Sequence, residues 1–138
     1  MKIVYSYYVA DILHKGHLLQ MENAKAVAGI DGKSVVGILT KEAVLEKKPK
    51  KPILSFDERM NLARVIKYVD MVIPQKTYSP IPNLKMVQPD VCMESESHKK
   101  EEIEEVRTYM KSIGGRVVIT PYYPYQSSTN IKKKIRRK

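Results

Sequence analysis

Short runs of Val, Ile and Tyr recur along this chain, and stretches with helical spacing separate them. Residues 2–9, 34–39, 71–74, 91–93 and 116–120 read as strands. Between them, residues 17–28 place Leu18, Leu19, Met21, Ala24 and Val27 near helical spacing. Residues 40–45 predict a short helix, and Ser55 followed by Glu58 predicts a capping box opening a helix to Lys67. Residues 79–83 read as a loop and 84–87 as one helical turn. Residues 99–113 form a strongly periodic helix with acids first and Arg107 and Lys111 later, which suits the helix dipole. Gly114-Gly115 ends it, 121–126 is an aromatic loop, and Ser127 opens a terminal helix. Strands alternating with helices predict an α/β fold, a five-stranded parallel sheet with helices on both faces.

With 138 residues the chain suits one domain with a real core, and 43% hydrophobic against 29% charged residues excludes a disordered chain. No apolar run approaches the roughly 18 residues a bilayer span needs, and the first residues lack a signal-peptide pattern. Cys92, the one cysteine, sits in an apolar run and reads as a buried small hydrophobe. A cytoplasmic protein is expected. The net charge of +10 calls for an anionic partner without naming it; nucleotides, nucleic acid and membrane surfaces all qualify.

In a parallel sheet, ligands bind beyond the carboxyl ends of the strands. Three segments fall on that edge. In the first, Asp11 and the His14-Lys15-Gly16-His17 run follow strand one; His14 and His17 are two of the chain's three histidines. Gly16 admits close backbone approach, the helix start favours an anion, and imidazole N–H groups donate to phosphate oxygens as charge builds. A His-x-x-His zinc reading stays open, with Asp11 as the one further ligand in view. The second is the lysine loop 46–52, whose ammonium groups suit a triphosphate and whose prolines limit its freedom. The third, Gln126-Ser127-Ser128-Thr129, brings hydroxyls to a helix start.

The stretches ADILHKGH, KKPKKPILSFDER, IKYVDMVIP and QSSTNIKKKI, in that order and spacing, resemble the cytidylyltransferase group of the HxGH nucleotidyltransferase superfamily. The resemblance covers nearly the whole chain. VVGILTKEAVLEKKPKKPILSFDER and IPNLKMVQPD look like the nucleotidyltransferases of phosphonate biosynthesis, such as 2-hydroxyethylphosphonate cytidylyltransferase. What it implies is a single Rossmann-like nucleotidyltransferase domain over residues 1–138. That domain moves CMP from CTP, with Mg²⁺, onto a small phosphate- or phosphonate-bearing alcohol and releases pyrophosphate. It implies no specific nucleic acid, no transmembrane segment, no protein-held metal, and a homodimer.

By the same resemblance His14 and His17 stabilise the transition state, Lys48 and Lys50 bind triphosphate oxygens, and Asp11 orients the first histidine or the acceptor. Arg59 supports the site, with Tyr8, Val9 and Gly16 at the nucleotide pocket. Gln126, Ser127, Ser128 and Thr129 hold the outer phosphates. Two departures stand out. Glu94-Ser95-Glu96-Ser97 replaces a Gly-Asp-Asp-like turn near the base and acceptor, which keeps Glu94 as a nucleotide-binding candidate and leaves ATP beside CTP. That alternative is an adenylyltransferase of coenzyme biosynthesis, similar to FAD synthase. The Arg-Thr-x-Gly-Ile-Ser-Thr-Thr motif loses its arginine, and Tyr122-Tyr123-Pro124-Tyr125-Gln126-Ser127-Ser128-Thr129 stands in its place. Lys67 or the tyrosine hydroxyls are the candidate substitutes; the tyrosines equally suit core packing or a dimer contact. A third hypothesis, nucleic-acid binding, draws on the KKKIRRK tail.

Overall fold

A computed structural model describes residues 1–121 and 127–136. The five strands are β1 (Ile3–Tyr8), β2 (Lys33–Leu39), β3 (Met71–Gln75), β4 (Val91–Ser95) and β5 (Arg116–Thr120). The helices are α1 (Lys15–Ala28), α2 (Lys41–Leu45), α3 (Phe56–Arg64), α4 (Ile81–Val87), α5 (Lys100–Ser112) and α6 (Ser128–Arg136). The strands form one sheet in the order β3-β2-β1-β4-β5, and every pairing is parallel. The chain steps outward from β1 to β3, then crosses back to β4 on the other side of β1. A crevice therefore opens at the carboxyl ends of β1 and β4, where such sheets bind ligands.

Side-chain alternation along the strands builds two half-cores. Val4 and Tyr8 of β1, Val36 and Ile38 of β2, and Val91 and Met93 of β4 pack with Met21 and Ala24 of α1 and Met60 and Ala63 of α3. Tyr5, Val35 and Cys92 face the other way, onto Leu84 of α4 and Val106 and Met110 of α5. Ile103, Val106 and Met110 give α5 its single apolar stripe. The expected α/β sheet with helices on both faces is present.

Three element boundaries differ from the sequence expectation. Helix α1 begins at Lys15, with His14 as its N-cap, rather than at His17. Helix α4 begins at Ile81, inside the expected loop, because a proline in the first turn has no N–H that the helix would need. Helix α3 ends at Arg64 rather than Lys67. At its start the Ser55 hydroxyl accepts from the Glu58 N–H at 3.1 Å and meets the Glu58 carboxylate at 3.2 Å.

One buried polar network ties the sheet to α4. The Tyr5 hydroxyl donates to Gln75 at 2.5 Å and accepts from Asn83 at 2.9 Å. Gly37 makes room for it: a Cβ there would stand 1.9 Å from the Tyr5 hydroxyl. Gln75 continues the chain by donating to the Tyr78 carbonyl at 3.2 Å, which fixes the loop after β3.

Candidate active site

Beyond β1 the chain turns sharply at Ala10, whose φ of 54° is left-handed, and enters α1 through His14. The two histidines cap each other's backbone. His14 Nδ1 accepts from the Gly16 N–H at 3.0 Å, and His17 Nδ1 accepts from the His14 N–H at 3.2 Å. An Nδ1 that accepts leaves the ring proton on Nε2, so each neutral imidazole carries an Nε2–H donor. The rings lie 4.1 Å apart by centroid, and Tyr8 meets His17 edge to face at 6.1 Å. Burial, then the charge of His14, pulls His17 down to about 4, and burial lowers His14 as well. Both rings are thus neutral hydrogen-bond donors near pH 7. Gly16 lines the cavity, yet its N–H serves the cap rather than standing free for a ligand.

His14, Gly16 and His17 line a cavity of about 650 Å³. The same cavity is lined by Lys48, Lys50 and Lys51 of the lysine loop and by Ser127, Ser128, Thr129, Lys132, Lys133 and Arg136 of the last helix. Tyr8, Val9 and Asp11 border it too. The three segments expected to share the sheet edge therefore meet around one concave, strongly basic space. Lys132, Lys133 and Arg136 carry no site role in the sequence pattern, where they stand in the QSSTNIKKKI stretch and the basic tail. Nothing in their spacing says that α6 returns over the β1 edge.

Of the two roles expected of Asp11, orienting the first histidine or the acceptor, the first is not seen: Asp11 has no bond to His14 among the described residues. Its carboxylate accepts from the Ile53 and Leu54 N–H groups, each at 2.9 Å, and pairs with Lys132. Burial favours its neutral form, but the bonds from Leu54, Lys132 and Ile53 outweigh that and hold it below the usual carboxylate range. Asp11 thereby joins three pieces: the turn after β1, the end of the lysine loop, and α6. Its separation from Lys132 is 121 positions, which no local pattern reveals.

Arg59 is likewise a positioning residue rather than a nucleotide contact. It is 1% exposed and lies outside the lining of the cavity. Its guanidinium donates to the carbonyls of Val9 at 2.9 Å, Leu39 at 2.6 Å and Leu54 at 3.3 Å. It clamps the ends of β1 and β2 to the segment before α3, so it sets where the Tyr8–Val9 edge lies.

Glu94 also departs from expectation. Alternation on β4 sends its side chain to the α5 face, where it is fully buried and outside the cavity lining. It holds His98 instead, with Oε1 at 3.0 Å from Nδ1, and His98 stacks on Tyr7 at 5.5 Å. His98 lines the cavity in place of Glu94. The His98 role was hidden because the turn sequence gives no sign of which residue reaches the crevice.

The hydroxyl-rich helix start is partly committed to structure. Ser127 caps α6, accepting from the Asn130 N–H at 3.0 Å, and Ser128 donates to the Ile12 carbonyl at 2.8 Å. Thr129 keeps its hydroxyl free of partners among the described residues. Gln126 and the tyrosines 122, 123 and 125 lie outside the described residues. Lys67 does not supply the missing arginine: it is exposed, lies over the Tyr68 ring at 5.1 Å, and borders no part of the cavity. Arg136 is the guanidinium that does line it.

A parallel sheet with a basic crevice at its switch point, and neutral imidazole donors at a helix start, defines a nucleotidyltransferase-type α/β protein. A family profile described as cytidylyltransferase-like matches residues 9–134, and the chain belongs to that family. It is 31% identical over 138 residues to the bifunctional protein HldE of Pseudomonas paraeruginosa, covering 99% of this chain and 28% of that protein. It is 36% identical over 81 residues to the FAD synthase of Korarchaeum cryptofilum, 59% of this chain and 54% of that protein. The chain thus spans little more than a quarter of the length of the HldE proteins it matches. The crystal structure of the lipopolysaccharide core biosynthesis protein from Thermoplasma volcanium superposes with a TM-score of 0.72 at 25% identity, covering 91% of this chain and 99% of that one.

Proposed function

We propose that this protein transfers a nucleotidyl group, CMP from CTP, to a small phosphate- or phosphonate-bearing alcohol and releases pyrophosphate. The observation that carries the reading is the mutual capping of His14 and His17, which leaves two neutral Nε2–H donors on a cavity ringed by lysines. Neutral donors fixed before the substrate arrives stabilise charge as it develops on phosphoryl oxygens without reorganising. Lys48, Lys50, Lys132 and Arg136 supply the matching positive charge for the triphosphate, and Thr129 a hydroxyl without a partner among the described residues.

In the step itself an acceptor oxygen forms a bond to the α-phosphorus. The bond from that phosphorus to the β-phosphate bridging oxygen breaks, and pyrophosphate leaves with the electron pair. The residues position and neutralise; none bonds to phosphorus. Mg²⁺ enters as part of the nucleotide substrate. In that reading the triphosphate oxygens would carry the ion.

A second reading keeps the site and replaces CTP with ATP. The Glu94 turn and the similarity to an FAD synthase favour it. The phosphonate branch rests on the stretches around residues 35–59 and 81–90. Pyrophosphate release with CTP and ATP side by side, over a panel of phosphocholine, phosphoethanolamine, glycerol-3-phosphate and 2-hydroxyethylphosphonate, decides between them. Turnover with ATP alone rules out the cytidylyl reading.

A further inference from the structure

Beside the basic cavity lies a second one of about 620 Å³. Tyr7, Tyr8, Val9, Lys48, Ser97 and His98 line both, so they form the boundary between the two. His98 is firmly anchored there, between the buried Glu94 carboxylate and the Tyr7 ring. Beyond that boundary the lining turns from basic to mixed. The second cavity adds Glu46, Glu102 and Glu105, together with Lys47 and Tyr78, so that its carboxylates face the ammonium groups of Lys47 and Lys48.

Glu102 and Glu105 stand three residues apart on α5 and face the same way. The helix dipole explains an acid at Glu102, in the first turn, but not one at Glu105 a turn further on. Glu102 shares the cavity wall with Tyr7 and Tyr78; burial and then the Glu102 charge push the Tyr78 phenol up, whereas Tyr7 is raised by burial and then by Glu94. Neither Glu102 nor Glu105 forms an ion pair among the described residues. A triphosphate would be repelled by these carboxylates. An ammonium group would be drawn to them and to the faces of the tyrosine rings.

We propose that the second cavity is the acceptor site and that it takes a zwitterion, an aminoalkyl phosphate or phosphonate. The ammonium group lies toward Glu102, Glu105 and Tyr78, and the anionic end meets Lys48 and His98 at the boundary. This rests on the nucleotidyl-transfer reading above and puts an amine-bearing acceptor in place of the plain alcohol. The acceptor's phosphoryl oxygen is the atom that bonds to the α-phosphorus, so the boundary is where the two substrates must touch.

Calorimetric titration with 2-aminoethylphosphonate and its near-isostere 2-hydroxyethylphosphonate tests the proposal. The amine binds about ten-fold tighter, the scale of one charge pair near a protein surface. Glu102→Gln and Glu105→Gln each shrink that advantage, and the double variant removes it. Glu104→Gln, which alters only an exposed pair with Arg107 on the same helix, leaves it intact. Equal affinities in the wild type, no binding of either compound, or a preference that survives in the double variant overturns the proposal. Pyrophosphate release separates the two levels. Release with hydroxyl and amine acceptors alike sinks the acceptor assignment alone; no release with any triphosphate sinks the transfer reading, and the binding result then judges the cavity by itself.

Discussion

His17 is where structure and chemistry meet in one side chain. Its Nδ1 caps a helix and its Nε2–H is aimed by that cap, so replacing the ring removes both. His17→Ala lowers kcat by about 10²-fold or more, the loss typical of one transition-state donor; steady-state pyrophosphate release measures it. The same ring makes folding pH-dependent. Its pKa is about 4 in the folded protein, below the ordinary 6.5, so the unfolded chain binds the proton more readily. Its contribution is whole above about 6.5 and is lost as pH falls toward 4. Urea midpoints at pH 7 and pH 5 should differ by more in the wild type than in His17→Asn. The motif was legible because two of three histidines straddle one glycine ahead of an apolar run. The tautomer was not, since it depends on which backbone N–H each Nδ1 meets.

The elements show where sequence patterns speak and where they stop. All five strands were visible, because β-branched runs bounded by turns have few other uses. The start of helix α4 is hidden in the sequence because Pro80 and Pro82 look like loop residues, although the first helical turn needs no N–H there. Asp11, Arg59 and Glu94 stand out in the sequence, but their partners do not, since spacing does not tell where a side chain points across the sheet. Asp11→Asn weakens the link between the lysine loop and α6. It costs about 1.5–3 kcal/mol of stability, the range for hydrogen bonds to a charged group, and raises the nucleotide KM more than it lowers kcat. Chemical denaturation and kinetics on one preparation measure both. Gly37→Ala drives a Cβ into the Tyr5 hydroxyl and destabilises by about 1–3 kcal/mol in the same assay. Normal stability there would mean the Tyr5–Gln75–Asn83 network adapts.

Across the whole molecule, the basic excess is not spread evenly. The lysine loop and α6 aim much of it at one crevice, which turns a tail suited to nucleic acid into one wall of a site. No helix among the described residues is long and apolar enough to cross a membrane. Arg136→Ala and Lys132→Ala each raise the nucleotide KM several-fold, and added salt erodes the wild-type advantage. The homodimer implied by the family resemblance is tested by sedimentation at micromolar protein. The central claim, that two imidazoles, a lysine loop and the last helix enclose a single triphosphate, has a direct test in ¹⁵N NMR. A non-hydrolysable CTP or ATP analogue is titrated while the histidine Nε2 and backbone amide signals are followed. The account predicts Nε2-protonated rings in the free protein, and shifts at His14, His17, residues 47–52 and residues 128–136 that saturate at one ligand concentration. Shifts confined to one of these segments, or saturating separately, would contradict it.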